Sequence, residues 1–264
     1  MAQATIDWQK ASGHQILAAA GKKILRPGGR RATEQLFEWA NFQPGETVLE
    51  LASSFGYSAI DLAKRYNVRV VGIEKNPDSV ARAQANVAAA GLSEQITIIE
   101  GDIFHLDRVA LPEDSSQRFD YVLAEAILTM QSPAGKTKIL QRVRDRLKPS
   151  GKFLSHELFA RAQEAEIHRA LAEAIRVNAQ PLSEVNWITT FEATGLQIQH
   201  YQTGAMGLLQ PQQMLQDEGI LTTAQIVWNI LTQPKLRSRV MAMRRTFQQH
   251  QDDLGHIILC AQRI

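Results

Sequence analysis

The chain has 264 residues, with 29 Lys and Arg against 27 Asp and Glu, 44% apolar residues and a single cysteine. This composition excludes global disorder, and one cysteine excludes an internal disulfide, a four-thiolate zinc site and an iron–sulfur site. The net charge of +2 does not indicate nucleic acid or an acidic membrane as the partner. Because no apolar run approaches the ~18 residues that span a bilayer and residues 1–10 lack a signal-peptide pattern, we expect a cytoplasmic protein without a metal.

Short β-branched runs alternate with helical patterns between residues 46 and 158. The predicted strands cover residues 47–51, 68–73, 96–99 and 121–124, and a fifth strand begins at residue 152. The predicted helices cover residues 57–65, 77–90 and 138–147. The second of these has Pro at its start and Gly after its end, which is the usual pattern for helix termini. Apolar strands that alternate with helices predict a parallel sheet covered on both faces.

The pattern beyond residue 158 is mainly helical. Its spacing predicts helices over residues 160–177 and 185–193, and Pro234 divides two further helical stretches. Two late strands are predicted at residues 196–201 and 255–261. The sequence therefore predicts an α/β fold with a doubly wound sheet in one domain, 1–264. Its parts are an N-terminal helical cap (1–45), a ligand-binding core (46–158) and helical additions (159–195 and 207–254).

The most informative segment is VLELASSFGYS, residues 48–58. Ligands of doubly wound sheets bind outside the carboxyl ends of the strands, and the first strand–turn–helix commonly forms the cofactor loop. Here the strand ends in Glu50, and Ala52, Ser54 and Gly56 occupy alternate positions. The glycine pattern of dinucleotide-binding proteins is absent. Small residues at such a turn also serve packing, so the turn alone leaves both interpretations open.

Further acidic residues stand near the ends of the following strands. Glu74 follows Glu50 by 24 residues, where a carboxylate can accept both ribose hydroxyls. Asp102 follows the third strand, where it can accept a hydrogen bond from an adenine amino group. Asp120 opens the fourth strand, and Glu125 follows its end. Each alone is compatible with a solvated carboxylate near a loop, but their spacing together favours a ligand site.

At these positions the chain resembles the class I S-adenosylmethionine-dependent methyltransferases. The family's first motif corresponds to ELASSFG at residues 50–56, and its next acidic residue corresponds to Glu74. The adenine-side pair corresponds to Gly101 and Asp102, and LKPSGKF at residues 147–153 corresponds to the turn into the fifth strand. Ala52 and Ser54 replace two customary glycines, so each added Cβ is expected to narrow the approach to the methionine part of the cofactor.

The resemblance implies a seven-stranded sheet, mostly parallel with a reversed last strand, and helical lid insertions. It also implies bound S-adenosylmethionine and methyl transfer, so that residues 46–158 become the cofactor-binding core. The cofactor-binding residues that it implies are Glu50, Ala52, Ser53, Ser54, Gly56, Glu74, Lys75, Gly101, Asp102, Ile103 and Ala124. Nicotinamide binding is the main rival for this fold, but it predicts a glycine-rich first turn, which is missing.

The candidates for a general base near the strand ends are Glu125, His156 and Glu157. Each has an alternative role. Glu125 can position the cofactor, His156 can be a histidine with satisfied hydrogen bonds, and Glu157 can cap a helix beginning near Leu158. We therefore expect transfer of a methyl group to an oxygen, nitrogen or carbon atom of a small-molecule acceptor. The alternative is a cofactor-binding sensor or interaction protein that transfers no methyl group.

Two basic clusters bear on the acceptor. Residues 10–31 contain six cations and no acidic residue, which suits either a lid over the cleft, hinged at residues 26–29, or a solvated helix face. As a lid, this segment would attract an anionic acceptor or the cofactor's own carboxylate. The second cluster, which is interpreted as a solvated face, comprises Lys235, Arg237, Arg239, Arg244 and Arg245. No basic stripe with interleaved aromatic residues supports nucleic acid as a partner.

The remaining candidates concern the pocket and the cysteine. Cys260 is predicted to be buried in the last strand, which disfavours methyltransferases that use a cysteine nucleophile on pyrimidines. A group of large side chains can either line an acceptor pocket under the late helices or pack in the core. These residues are Trp187, Phe191, Met206, Met214 and Trp228.

Overall fold

A seven-stranded sheet forms the centre of the computed structural model, which describes residues 7–8, 10–111 and 117–264. The strands are β1 (Thr47–Leu51), β2 (Arg69–Glu74), β3 (Ile96–Glu100), β4 (Phe119–Glu125), β5 (Leu147–Ala160), β6 (Leu196–Ala205) and β7 (Leu254–Arg263). They lie in the order β3-β2-β1-β4-β5-β7-β6. β7 is antiparallel to both of its neighbours, and the other neighbouring pairs are parallel. The predicted sheet with its reversed last strand is confirmed.

Helices cover both faces of this sheet. On one face pack α2 (Gly29–Ala40), α3 (Tyr57–Tyr66) and α4 (Pro77–Ala89), and on the other α5 (Pro133–Arg146) and α7 (Glu184–Glu192). A third apolar cluster joins α1 (Gly13–Ala20), α6 (Glu164–Ile175), α8 (Pro211–Thr232) and α9 (Pro234–Gln249). This cluster contacts β5 and β7 through Leu158, Ala160 and Leu254, so it lies toward the carboxyl end of β5.

Three predicted boundaries are wrong for physical reasons that the sequence pattern did not show. β5 continues to Ala160 because residues 152–160 pair with β7, so α6 begins at Glu164 instead of residue 160. Glu157 therefore lies within β5 and does not cap the helix that follows this strand. α5 begins at Pro133, where the Ser132 hydroxyl accepts the hydrogen bond of the Gly135 N–H. It also ends one residue before the predicted end, since Leu147 opens β5.

Several candidate pocket residues have other surroundings. Trp187 and Phe191 are fully buried among core side chains, which favours the packing interpretation for both. Trp228 is 67% exposed, so it belongs to neither a closed pocket nor the core. Cys260 is buried in β7, as predicted. Among the described residues, no helix is long and apolar enough to cross a membrane.

A buried polar cluster fixes the turn that follows β4. The Glu157 carboxylate is fully buried and accepts hydrogen bonds from the Leu128 N–H at 3.0 Å and the Thr129 N–H at 2.8 Å. The Thr129 hydroxyl donates a third hydrogen bond at 2.6 Å. Burial raises the pKa of Glu157 to about 7 against the effect of these donors. The side chain therefore holds the turn Leu128–Met130 against β5.

We expect Glu157→Ala to lower the free energy of unfolding by about 3 kcal/mol, because it leaves two buried N–H groups without an acceptor. Asp145→Ala is the control, since Asp145 is an exposed residue paired with its exposed neighbour Arg144. Its loss should stay within about 0.5 kcal/mol. Urea denaturation of both variants measures the difference, and equal losses would contradict the assigned role of Glu157.

Candidate methyltransferase site

The loop after β1 adopts a backbone that normally requires glycine. Ala52, Ser54 and Gly56 have φ angles of 54°, 51° and 76°, all in the left-handed region. For a residue with a Cβ this conformation costs ~1–2 kcal/mol. The Ser53 N–H donates to the Ile73 carbonyl at 3.0 Å, and the Gly56 N–H donates to the Ser53 carbonyl at 2.8 Å. These bonds hold the alternating conformation although two of its three positions lack glycine.

Gly72 in β2 makes room for this loop, and the sequence analysis missed it. A Cβ on Gly72 would collide with the buried side chain of Ser53. The signal was present, since a glycine inside an otherwise apolar strand often marks a close approach of another group.

Glu74 joins the loops that follow β1 and β2. Its Oε2 accepts the hydrogen bond of the Ser54 N–H and its Oε1 that of the Asn76 N–H, both at 2.9 Å. On the neighbouring strand, the Gly101 N–H donates to the Glu74 carbonyl at 2.9 Å. The ends of β2 and β3 and the first loop are therefore connected at one edge of the sheet.

Asp102 lies at that same edge. Its Oδ1 accepts the hydrogen bond of the Phe104 N–H at 2.9 Å, and its Oδ2 lies 3.0 Å from Lys75 Nζ. Desolvation acts to raise the pKa of Asp102. The hydrogen bond from Phe104 and the contact with Lys75 outweigh it, so the pKa is lowered. Ile103 and Ala124 are buried beneath the edge. The carboxylate is thus ionised and able to accept a hydrogen bond from a ligand.

Asp120 lies apart from the other predicted residues. It stands near the start of β4, where its carboxylate accepts hydrogen bonds from Thr47 and Lys148. The starts of parallel strands lie at the edge opposite to the ligand crevice. Asp120 therefore connects neighbouring strands at the amino end of the sheet, and grouping it with the strand-end carboxylates was wrong.

Glu50 at the end of β1 is buried, and its Oε2 has no hydrogen-bond partner in the described part of the chain. Burial and the nearby Glu125 carboxylate raise the pKa of Glu50 to about 8, against the effects of Ser53, Arg26 and Ser58. An unpaired buried carboxyl oxygen is costly. It marks a place where a ligand would supply a donor.

Glu125 connects the sheet with the segment between α1 and α2, residues 21–28, which we term the strap. Arg26 Nε of the strap lies 3.0 Å from Glu125 Oε1. Hydroxyl groups of Thr33 and Ser58 donate to the two carboxylate oxygens at 2.8 and 2.7 Å. Arg26 also donates to the Ser58 hydroxyl at 2.7 Å. A cation of the predicted lid is therefore in the site.

The other cations of residues 10–31 divide into two groups. Lys22 is buried and lies 3.5 Å from Glu218 of α8, so the interpretation as a solvated face is wrong for Lys22 and for Arg26. The remaining cations are exposed and agree with a solvated face; they are Lys10, Lys23, Arg30 and Arg31.

His156 has both ring nitrogens engaged. Its Nε2 accepts the hydrogen bond of the Gly28 N–H at 3.0 Å, and its Nδ1 lies 3.2 Å from the Thr33 hydroxyl. Since that hydroxyl donates to Glu125, Nδ1 carries the proton. Burial, then His256 and Arg26, hold the pKa of His156 well below its ordinary value. The neutral ring has no free lone pair for an acceptor proton in this arrangement.

Comparison with known proteins decides the family. Residues 42–200, more than half of the chain, match the family model described as a methyltransferase domain. The chain belongs to this methyltransferase family. An uncharacterized protein of Haemophilus influenzae is 34% identical over 252 residues, 95% of this chain and 98% of that one. A 23S rRNA (uracil(1939)-C(5))-methyltransferase of a Shewanella species is 41% identical over 69 residues, 26% of this chain and 15% of that one.

A solved structure supports the fold over nearly the whole methyltransferase chain. It is the Haemonchus contortus phosphoethanolamine N-methyltransferase 2 in complex with phosphomonomethylethanolamine and S-adenosylhomocysteine. The superposition has a TM-score of 0.71 at 16% identity, and it covers 95% of this chain and 57% of that one. The predictions of a class I S-adenosylmethionine-dependent methyltransferase, of an enzyme and of its cofactor are confirmed at the level of the family. The relatives differ in the molecules that they name, so they do not establish the acceptor.

We expect Ala52→Gly to raise the free energy of unfolding by about 1 kcal/mol, because it relieves a left-handed backbone strain. Ala88→Gly is the matched control, at an exposed position of α4 with helical backbone, and should lower stability by about 1 kcal/mol. Guanidinium denaturation gives both values. Similar losses in the two variants would show that the loop carries no such strain.

Proposed function

We propose that this protein transfers the methyl group of S-adenosylmethionine to a small-molecule acceptor. The observation that carries the proposal is the unpaired Glu50 oxygen beside a loop whose backbone takes the left-handed form at three alternate positions. Glu50 would accept a hydrogen bond from the ammonium group of the cofactor's methionine part, Glu74 would bind the ribose and Asp102 the adenine amino group. Bound there, the cofactor supplies an electrophilic methyl group on its sulfonium.

The remaining predicted cofactor residues shape this site in the proposal. Ala52, Ser53, Ser54 and Gly56 present the loop backbone to the methionine part, while Ile103 and Ala124 form its apolar floor. Gly101 allows close packing, since a Cβ there would meet Val109 and Ile73. Lys75 holds Asp102 in place at 3.0 Å.

Methyl transfer is an in-line displacement, for which the protein mainly supplies positioning. Among the three predicted bases, Glu157 is committed to the turn after β4 and His156 to Gly28 and Thr33. Glu125 accepts hydrogen bonds from Thr33 and Ser58. We propose that it acts on the reacting side by holding Arg26, whose positive charge would orient the acceptor. We therefore infer an acceptor that is already nucleophilic, such as an anion, and that needs no strong general base.

A polar cavity at the edge of the sheet would suit a small polar acceptor. This cavity of about 200 Å³ lies at the ends of β5 and β6, lined by side chains that include Arg161, Asp252 and Asp253. Its wall residue Phe159 is three residues beyond His156 along β5, or ~10 Å. The match to the rRNA methyltransferase covers only 69 residues of this chain. Cys260 is buried, and burial raises its pKa to about 11, so it offers no nucleophile for a pyrimidine.

The division of the chain follows from these roles. We propose that residues 1–45 cap the site, residues 46–158 bind the cofactor, and residues 159–195 and 207–254 enclose the acceptor. A sensor without methyl transfer is the competing function, favoured by the absence of a free base. Calorimetry with S-adenosylmethionine, followed by turnover on a panel of anionic acceptors, separates the two. The cytoplasmic location stays a prediction.

Glu50 predicts a pH dependence of cofactor binding. With a raised pKa of about 8, free Glu50 is protonated at neutral pH, while an ammonium partner favours the ionised form. The affinity should therefore rise as the pH increases toward 8, and binding near pH 7 should release a proton. Calorimetry in buffers of different ionisation enthalpy measures this release.

The variant Glu50→Gln tests the same assignment. It should abolish proton release and weaken binding near pH 8.5 by at least about tenfold, as expected for the loss of a charge-assisted hydrogen bond. Glu100→Gln is the control, because Glu100 is exposed at the end of β3. Proton release that persists in Glu50→Gln would assign it to another group.

Arg26→Ala should free the strap, because it removes the contacts with Glu125 and Ser58. We expect trypsin to cleave at the exposed Lys23 at least several times faster than in the wild type, and cofactor affinity to fall. In Arg30→Ala both quantities should stay unchanged, since the Arg30 side chain is exposed. Equal cleavage rates in the two variants would show that Arg26 does not hold the strap in place.

A further inference from the structure

The second half of α8 is apolar on its exposed side as well as on its buried side. Thr223 and Ile226 face the interior. The opposite side, which we term the α8 ridge, consists of Ile220, Leu221, Ala224, Val227, Trp228 and Leu231. Ile220, Leu221 and Trp228 are 77%, 87% and 67% exposed. Their positions cover about 120° of the helix circumference, and residues 219–233 contain no charged side chain. A helix with apolar residues on two sides is normally covered on both of them.

The next helix along the chain, α9, carries exposed positive charge. From residue 219 to residue 251 the sequence has no acidic residue, and it has five Lys and Arg. On α9, Arg237, Met241 and Arg245 are exposed and spaced by four residues, so they share one face. α8 and α9 pack against each other and against α1, whose surroundings at residues 10–31 are also free of acids. The net charge of +2 conceals this basic side.

The chemistry of the surface favours one kind of partner. A second copy of the chain related by a two-fold axis would bring the basic α9 helices near each other, and like charges would oppose the contact. RNA would use the cations but would leave the apolar ridge in water. An anionic lipid surface uses both, because aliphatic and Trp side chains enter the headgroup region while Lys and Arg bind the lipid phosphates.

We propose that the α8 ridge and the exposed cations of α9 bind an anionic membrane surface. This binding is peripheral, and it agrees with the finding that no described helix could cross a membrane. It departs from the expectation that the small net charge set for membranes, because residues 219–251 contain five Lys and Arg and no acidic residue. The proposal does not rest on methyl transfer.

Cosedimentation of the full-length protein with vesicles tests the proposal. The vesicles are pure phosphatidylcholine or an equal mixture with phosphatidylglycerol. We expect at least about tenfold tighter partition onto the anionic vesicles, weakening as salt is added. The double variant Leu221→Glu, Trp228→Glu should lose at least about tenfold of this partition. Val185→Glu is the matched control, since Val185 is 69% exposed on α7, away from the ridge.

The cations are tested separately. Arg237→Gln and Arg245→Gln should each weaken partition by about fivefold, whereas Lys64→Gln, at an exposed site on α3, should not. Circular dichroism and the Tm establish that each variant is folded. The wild-type protein alone also tests the proposal. If it fails to sediment with the anionic vesicles, or if it binds the neutral vesicles equally well, the proposal is overturned.

Two other outcomes assign the surface to a different partner and overturn the proposal as well. If the glutamate variants partition like the wild type while the glutamine variants do not, the surface binds polyanions by charge alone. If sedimentation velocity shows a wild-type dimer that the double variant dissociates, without lipid binding, the ridge is covered by a second copy.

Discussion

The ion pair between Arg26 and Glu125 is the interaction on which the site depends. Parallel strands bring Glu50, Glu74 and Glu125 to one edge of the sheet, where burial and the nearby Glu125 carboxylate raise the pKa of Glu50. Burial of like charges is expensive without a cation. Arg26 supplies that cation from a segment nearly one hundred residues earlier in the chain. The positive charge of Arg26 thus offsets the electrostatic cost of placing several carboxylates together for a cationic cofactor. The strap that carries Arg26 also covers these carboxylates.

The hydrogen bonds of His156 extend the same arrangement. Its Nε2 accepts from the strap at Gly28, and its Nδ1 proton points to Thr33, which in turn donates to Glu125. A charged imidazole would face Arg26 and His256, so the ring is neutral. His156 therefore helps to attach the strap to the sheet. In the proposed function, this leaves positioning, rather than proton abstraction, as the contribution of the protein to methyl transfer.

Some of this could be predicted from the sequence. Glu50, Glu74 and Asp102 follow strands whose apolar runs are local signals, so their shared edge followed from the parallel sheet alone. The partners of Arg26, His156 and Glu157 are distant in sequence, and no periodicity indicates them. The length of β5 was missed for the same reason, because its pairing with β7 joins residues about one hundred positions apart. The alternation of small residues at Ala52, Ser54 and Gly56 was noted from the sequence, but it did not lead to a prediction of left-handed backbone there.

The segment before the α8 ridge ties the two surfaces of the molecule together. Glu218 Oε1 accepts hydrogen bonds from the Lys23 and Ile24 N–H groups at 2.9 Å, and Asp217 accepts one from the Arg30 N–H at 2.7 Å. The next residue, Gly219, leaves the helical conformation with φ 78° and ψ 168°. Glu218, which holds the strap, and Asp217, which holds the start of α2, therefore stand directly before the break at which the exposed apolar half of α8 begins. A bound surface that shifts this half of α8 therefore acts on Glu218, which is hydrogen-bonded to the strap backbone. The strap in turn contacts the buried carboxylate of Glu125 through Arg26. The acid-free stretches at residues 10–31 and 219–251 are in contact with each other, because α1 packs against α8 and α9.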